Sequence, residues 1–275
     1  MTTTSQRLAT ESRALFFDVF GTCVDWRKSV TNALKETAAR ALKESQDISP
    51  AIRERAQQYT VETWGEVAQE WRTTYYKFTR DLAKDSSLRW KTVDDHHLDS
   101  LRDILAERGL RDASDPGSGL WTDDEVKHLS TVWHRLESWP DTNKGLQILG
   151  TKYDTATLSN GNISLLKNME DFSGMKFTHI FSSELFNSYK PNPAIYNGAA
   201  ARLNLKTSQC IMVAAHLGDL DAAKGCGLST IYVERPQEET YDIAVAKQKG
   251  FVDVWIKEGE DGFLGICREL GLPTS

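Results

Sequence analysis

The sequence predicts an α/β protein, a doubly wound Rossmann-like parallel sheet core with an inserted helical cap. Three observations carry that expectation. Short apolar or β-branched runs recur along the chain, each ending in polar residues and a turn. Helix-like stretches separate those runs, the alternation that builds a parallel sheet with helices on both faces. A segment of different character, residues 27–136, interrupts the alternation after the first run.

The elements follow in order. The N-terminal MTTTSQRLATESR has no apolar core of a secretory signal and reads as a short flexible leader. ALFFDVF, residues 14–20, is the first strand; it delivers Asp18 near its tip before a Gly21-Thr22 turn. The insertion carries apolar residues at helical spacing, most clearly in VETWGEVAQEWRTTYYKFTRDL. DASDPGSGLW is a loop, and TDDEVKHLSTVWHRL a helix opened by a Thr122–Glu125 capping box. Beyond it, YDTATLSN and CIMVAAH are buried strands, with THIFSS, STIYVER and DVWI as weaker ones. NISLLKNMEDF, NPAIYNGAAARLNL, GDLDAAKGCG and FLGICRELG are the helices between them. The core is therefore expected at 1–26 and 137–275, and the cap at 27–136.

Composition narrows the function classes. Apolar residues make up 40% and charged residues 26% of 275, ordinary values for a soluble globular protein. A net charge of -6 argues against nucleic acid or an anionic membrane as partner. No stretch approaches the ~18 apolar residues of a membrane span. Four cysteines without a CxxC pair read as reduced thiols, so a cytoplasmic location is expected.

Four strand tips carry candidate chemistry, and open α/β sheets place ligands at such tips. Asp18 follows the first; its simpler role is to cap the turn. Ser159, Asn160 and Gly161 follow the second, offering a hydroxyl, an amide and bare backbone, or merely a helix N-cap. Lys190 precedes two prolines and a helix, which pins its ammonium near a rigid turn, and Tyr196 lies in that helix's first turns, where it serves packing equally well. His216 and Asp219 follow CIMVA. Either residue alone reads as structural; both at one tip favour a site.

That order (Asp, Ser-Asn-Gly, Lys-Pro, Asp before AAKxxG) resembles the haloacid dehalogenase superfamily of hydrolases over nearly all of the core. In that family's phosphatases a second aspartate, two residues after the nucleophile, protonates the leaving alkoxide; here the position is Phe20. Aligning the fourth motif to GDxxxD puts Asp219 on its second aspartate and Ala215 on its first, so the resemblance implies no metal and no other cofactor. The remaining match is to the L-2-haloacid dehalogenase (type II) branch. There QEWRTTYY resembles the segment whose arginine enters the site, so Arg72, with Asn160, is implied to hold the halide; without the resemblance Arg72 is a snorkelling surface side chain. Phe20 stands where tyrosine is common. The chain departs from the branch's Ser-x-Asn-x-x-Asp pattern with Ala214, Ala215, His216, Leu217, Gly218 and Asp219.

The resemblance implies conversion of a small (S)-2-haloacid to the (R)-2-hydroxy acid. Asp18 attacks Cα and forms an ester; Ser159 and backbone N–H groups hold the substrate carboxylate, and Lys190 supplies charge. Asp219 and His216 are the candidates for handling the water. A 2-haloacid or related carboxylate is the expected partner. Trp64, Trp71, Tyr75 and Tyr76 have helical spacing that places them in the core first, with a pocket wall or a homodimer interface as alternatives. Three rivals stand beside this reading: an atypical phosphatase, a related hydrolase recruited to another substrate, and a non-enzymatic binding module.

Overall fold

The computed structural model describes residues 3–85, 87–112, 115 and 117–274. The loop expected at DASDPGSGLW falls partly outside them. Six parallel strands form one sheet in the order β3-β2-β1-β4-β5-β6. They are β1 (Ala14–Phe17), β2 (Asp154–Ser159), β3 (His179–Ser182), β4 (Cys210–Ala214), β5 (Ser229–Val233) and β6 (Val254–Ile256). The chain reverses its direction of travel across the sheet at β1, which makes the gap between β1 and β4 the topological switch point.

Side-chain alternation sorts the helices onto two faces. Leu15 and Phe17 of β1 share a core with helices α7 (Thr142–Leu149), α8 (Ile163–Ser173) and α12 (Gly262–Glu269). Ala14 and Phe16 point the other way, against α9 (Pro193–Arg202), α10 (Leu217–Gly225) and α11 (Ile243–Lys249). Both faces are buried, so β1 and β4 read as continuous apolar runs, and even the Thr and Ser side chains that alternate along β2 are buried.

The N-terminal segment corrects the leader expectation. Helix α1 (Thr4–Glu11) forms there, because Thr3 and Gln6 make a reciprocal capping box and Leu8 buries itself beside α12. Between β1 and β2 run α2 (Trp26–Glu44), α3 (Pro50–Gln57), α4 (Val61–Lys84), α5 (Val93–Glu107) and α6 (Asp123–Ser130). The expected helix at 122–136 breaks at Ser130 into a 3₁₀ turn, Thr131–His134. That break swings Trp133 into stacking contact with Trp26 and His97. Trp64, Trp71 and Tyr75 are buried within the chain itself. Among the described residues no helix is long and apolar enough to cross a membrane.

Candidate active site

Asp18 sits one residue past β1, and its N–H still bonds Val213 O on β4 at 3.0 Å, so the sheet holds its backbone. The chain then turns back through Gly21 at φ +80°, a left-handed conformation that favours glycine. The return aims Thr22 at the carboxylate. Its Oγ1 donates to Asp18 Oδ2 at 2.8 Å and accepts from Ala215 N at 2.9 Å, tying the tips of β1 and β4 together.

Lys190 reaches in from the loop before α9. Its ammonium donates to Asp18 Oδ1 at 2.8 Å and bridges to Asp219 Oδ2. Tyr196 OH takes the other oxygen of Asp219, so both carboxylate oxygens of Asp219 are engaged. Asn160 supports this arrangement: its Oδ1 accepts from Lys190 N at 2.8 Å and from Ser183 Oγ at 2.6 Å. Its Nδ2 has only a long contact, 3.5 Å, to Lys190 O.

The third group joins the core to the insertion. His216 Nδ1 lies 3.0 Å from Asp18 Oδ2, and its Nε2 lies 3.0 Å from Tyr76 OH on α4. Glu238, from the loop after β5, places Oε2 3.4 Å from the same Nε2. Arg72, one turn before Tyr76, donates Nη2 to the Tyr76 hydroxyl at 3.0 Å. Its guanidinium lies 4.4–5.6 Å from the centroids of Tyr76, Tyr75, Phe20 and Trp26. Arg72 is 2% exposed, and its Nε and Nη1 have no hydrogen-bond partner among the described residues.

Burial and charge set the protonation states. Burial alone pushes the Asp18 carboxyl up, but the Lys190 ammonium and the His216 contact overcome it and hold the group far below the usual carboxylate range. Burial opposes the Lys190 ammonium, which Asp18 and Asp219 nevertheless keep protonated with a raised pKa. Asp219 is itself raised, by burial first and by the nearby Asp18 charge, against the pull of Lys190. For His216 burial favours the neutral ring, yet the Tyr76 oxygen and the bonds to Asp18 and Glu238 raise its pKa well above the ordinary value. Glu238 is lowered, its burial outweighed by His216.

These groups open on a cavity of about 690 Å³ bordered by Asp18, Arg72, Asn160, Lys190, His216 and Asp219. Three expected contacts lie behind the wall. Ser159 is fully buried with its Oγ accepting from Gly161 N at 3.2 Å; its hydroxyl shapes the turn and does not reach the cavity. Phe20 forms the floor under Arg72, and Tyr196 acts on Asp219 from below. Glu238 and Thr22 were not among the expected site residues. Glu238 follows STIYVER, and applying the strand-tip rule to that fifth strand was the signal available for it. The donor set does not fit a divalent cation: the Lys190 ammonium occupies the space between the two aspartates, and residue 215 offers only a methyl. Among the described residues no group of three or more His, Cys, Asp or Glu is placed to hold a metal.

Comparison with known proteins gives concordant matches. A family model described as haloacid dehalogenase-like hydrolase matches residues 12–227. The chain is 25% identical over 228 residues to (S)-2-haloacid dehalogenase 4A of Burkholderia cepacia, covering 81% of this chain and 83% of that one. The fold is similar to that of the defluorinating L-2-haloacid dehalogenase Rha0230, with a TM-score of 0.74, 30% identity, and 92% and 93% of the two chains covered. The L-2-haloacid dehalogenase PA0810 also gives a TM-score of 0.74, at 28% identity over 94% and 100% of the chains.

Proposed function

This chain belongs to the haloacid dehalogenase-like hydrolase family, and on that premise we propose that it is a hydrolytic dehalogenase turning a small (S)-2-haloacid into the (R)-2-hydroxy acid and halide. Residues 27–136 act as a cap over a core formed by 1–26 and 137–275. The observation that carries the reading is Arg72: a buried guanidinium whose Nε and Nη1 have no hydrogen-bond partner among the described residues, cradled by aromatic rings and bordering the cavity that holds Asp18. A buried cation with donors left over beside the cavity calls for an anion, and a halide needs no proton to leave.

In this reading Asp18 Oδ1 attacks the substrate Cα. Oδ2 already accepts from Thr22 and His216, whereas Oδ1 accepts from Lys190 and retains a lone pair. The carbon–halogen bond breaks as the ester bond forms, the stereocentre inverts, and halide departs toward Arg72 and the Asn160 amide. Backbone N–H groups at the first two strand tips take the substrate carboxylate, with Lys190 supplying charge. Water then cleaves the ester at the Asp18 carbonyl carbon and releases the hydroxy acid.

The test is halide release from L- and D-2-chloropropionate with EDTA present, comparing wild type with Asp18→Asn. Release from the L form alone, lost in the variant, supports the reading. Robust turnover by Asp18→Asn, with deamidation ruled out by mass spectrometry, sinks it. A second reading keeps the chemistry but assigns a larger carboxylate. It is favoured by the cavity, whose ~690 Å³ lies within the ~300–1,000 Å³ typical of sites for drug-sized ligands. Inertness toward short haloacids, with covalent labelling of Asp18 by a longer one, would select it.

A further inference from the structure

We propose that His216 is the base that activates the hydrolytic water, and that Glu238 is its positioning residue, the pair being silent until Asp18 is esterified. The inference rests on the aspartyl-ester reading above and assigns the groups of its second half.

Asp219 is a poor candidate for the base. Lys190 takes one of its oxygens and Tyr196 the other, so a water would have to compete with two standing hydrogen bonds for the lone pairs that remain. His216 is differently placed. Asp18 faces it from the tip of β1, Tyr76 from α4 with Arg72 bonded behind, and Glu238 from the loop after β5. Lys190 holds the far oxygen of Asp18, and on its own helix Asp219 is tied to Lys190. The neighbouring Glu239 is used by the backbone N–H of Leu217.

Glu238 is a buried carboxylate set among cations. Its side chain is only 3% exposed, and a buried carboxylate is costly unless paired. The charged group in contact with it is the His216 ring, and the Arg72 guanidinium adds attraction from farther away. The site also reserves space for it: a Cβ added at Gly21 would meet Glu238 Oε2 at 2.1 Å. Glycine at 21 is favoured by its backbone conformation, and its missing Cβ leaves the room this carboxylate occupies.

Before reaction, His216 stands between two carboxylates and holds both ring protons, so it cannot accept another. Alkylation of Asp18 converts one of those carboxylates to a neutral ester. The imidazolium then loses the proton on Nδ1 to solvent, while Glu238 and Tyr76 keep the other on Nε2. The Nδ1 lone pair is then free beside Oδ2, now the ester's carbonyl oxygen, within reach of a water approaching the ester carbon. Water attacks that carbon, forming an O–C bond as Nδ1 takes one of its protons. The carbon–Oδ1 bond breaks, and the departing alkoxide takes the proton back from Nδ1. The regenerated carboxyl of Asp18 passes its own proton to His216, restoring the starting pair. The sum is substrate plus water giving hydroxy acid, halide and one proton.

The test is rapid-quench kinetics on the full chain with (S)-2-chloropropionate. Wild type and Glu238→Gln are both expected to release about one halide per active site in the first turnover. In Glu238→Gln, mass spectrometry of the Asp18 peptide shows the ester accumulating, and steady turnover falls by ~100-fold or more, the scale of general base catalysis. The deacylation pH profile shifts to lower pH as the ring loses its carboxylate, and Glu238→Asp recovers part of both. Wild-type turnover and pH profile in Glu238→Gln would overturn the proposal, as would loss of the first-turnover burst in that variant alone. No halide and no ester from wild type overturns the dehalogenase reading and this inference with it. If Glu238→Gln does not fold, His216→Gln carries the same test: a burst with a trapped ester supports the base, unchanged turnover overturns it.

Discussion

Lys190 sets its ammonium 2.8 Å from Oδ1 of Asp18, a residue 172 positions earlier in the chain, with both side chains almost wholly buried. Removing one partner of such a pair strands the other. Lys190→Met is therefore expected to destabilise the protein by about 3–5 kcal/mol, leaving Asp18 and Asp219 as adjacent buried acids. The depressed pKa of Asp18 makes its contribution present above the unfolded value of about 3.9 and lost only as pH falls through the folded one. Urea denaturation of wild type and Lys190→Met from pH 2 to pH 7 checks both: the difference is full near pH 7, and the Asp18 contribution falls away only below about pH 3.9.

The linkage for His216 has the opposite sign. Its folded pKa is raised, so its contribution is full below the unfolded value of about 6.5 and is lost as pH rises through the folded value. The stability advantage of wild type over His216→Gln should narrow with increasing pH above 6.5. An advantage independent of pH would mean the resting imidazole is uncharged.

His97 is a different case. It is 1% exposed, neither ring nitrogen has a partner among the described residues, and it stacks on Trp133 at 4.6 Å. Burial lowers its pKa well below the ordinary value. Stability is therefore lost as pH falls below about 6.5, where the unfolded chain takes up a proton that the native ring refuses. His97→Phe keeps the stacking and removes the titration; thermal melts at pH 5 and pH 7.5 should differ less in the variant than in wild type.

Arg72→Ala should reduce halide release by ~100-fold or more, in line with loss of a preorganised site for developing charge. Iodide provides a direct binding readout. Trp26 lies 5.6 Å from the guanidinium, so saturable quenching of tryptophan fluorescence by iodide is expected in wild type and absent in Arg72→Ala.

Phe20→Asp should not create an efficient phosphatase. The new carboxylate restores an acid in sequence, but residue 215 still contributes no oxygen, and Lys190 still fills the gap between the aspartates. Turnover of p-nitrophenyl phosphate with Mg²⁺ present measures this; a rate within about tenfold of an ordinary phosphatase, ~10 s⁻¹, would refute it.

Much of the architecture was legible because parallel strands buried on both faces leave long apolar runs. Asp18, Asn160, Lys190, His216 and Asp219 stood out as polar residues at or near the ends of such runs. Arg72 was reached through family resemblance alone; the amphipathic pattern of its helix by itself reads it as a surface side chain. What escaped was set by contacts distant in sequence. Ser159 lies at a strand tip as expected, but its hydroxyl turns back onto Gly161. Glu238 sits in an aperiodic loop, and only the fold brings it to His216. The helix expected at 122–136 yields at Ser130 because Trp133 finds a stack with Trp26, a partner more than a hundred positions away. The N-terminal helix depends on a cap at Thr3 and a docking place for Leu8, neither of which apolar content reports.

The bond between Tyr76 on α4 and His216 at the tip of β4 has a consequence for modular exchange. Helices α2–α6 belong to the part of the chain between β1 and β2. One hydroxyl from that part touches a ring that also touches Asp18. A chimera receiving helices from a relative is expected to fold but to react sluggishly unless a phenol is supplied at position 76. Activity of such chimeras with tyrosine or phenylalanine there would measure how far specificity can be transplanted without disturbing reactivity.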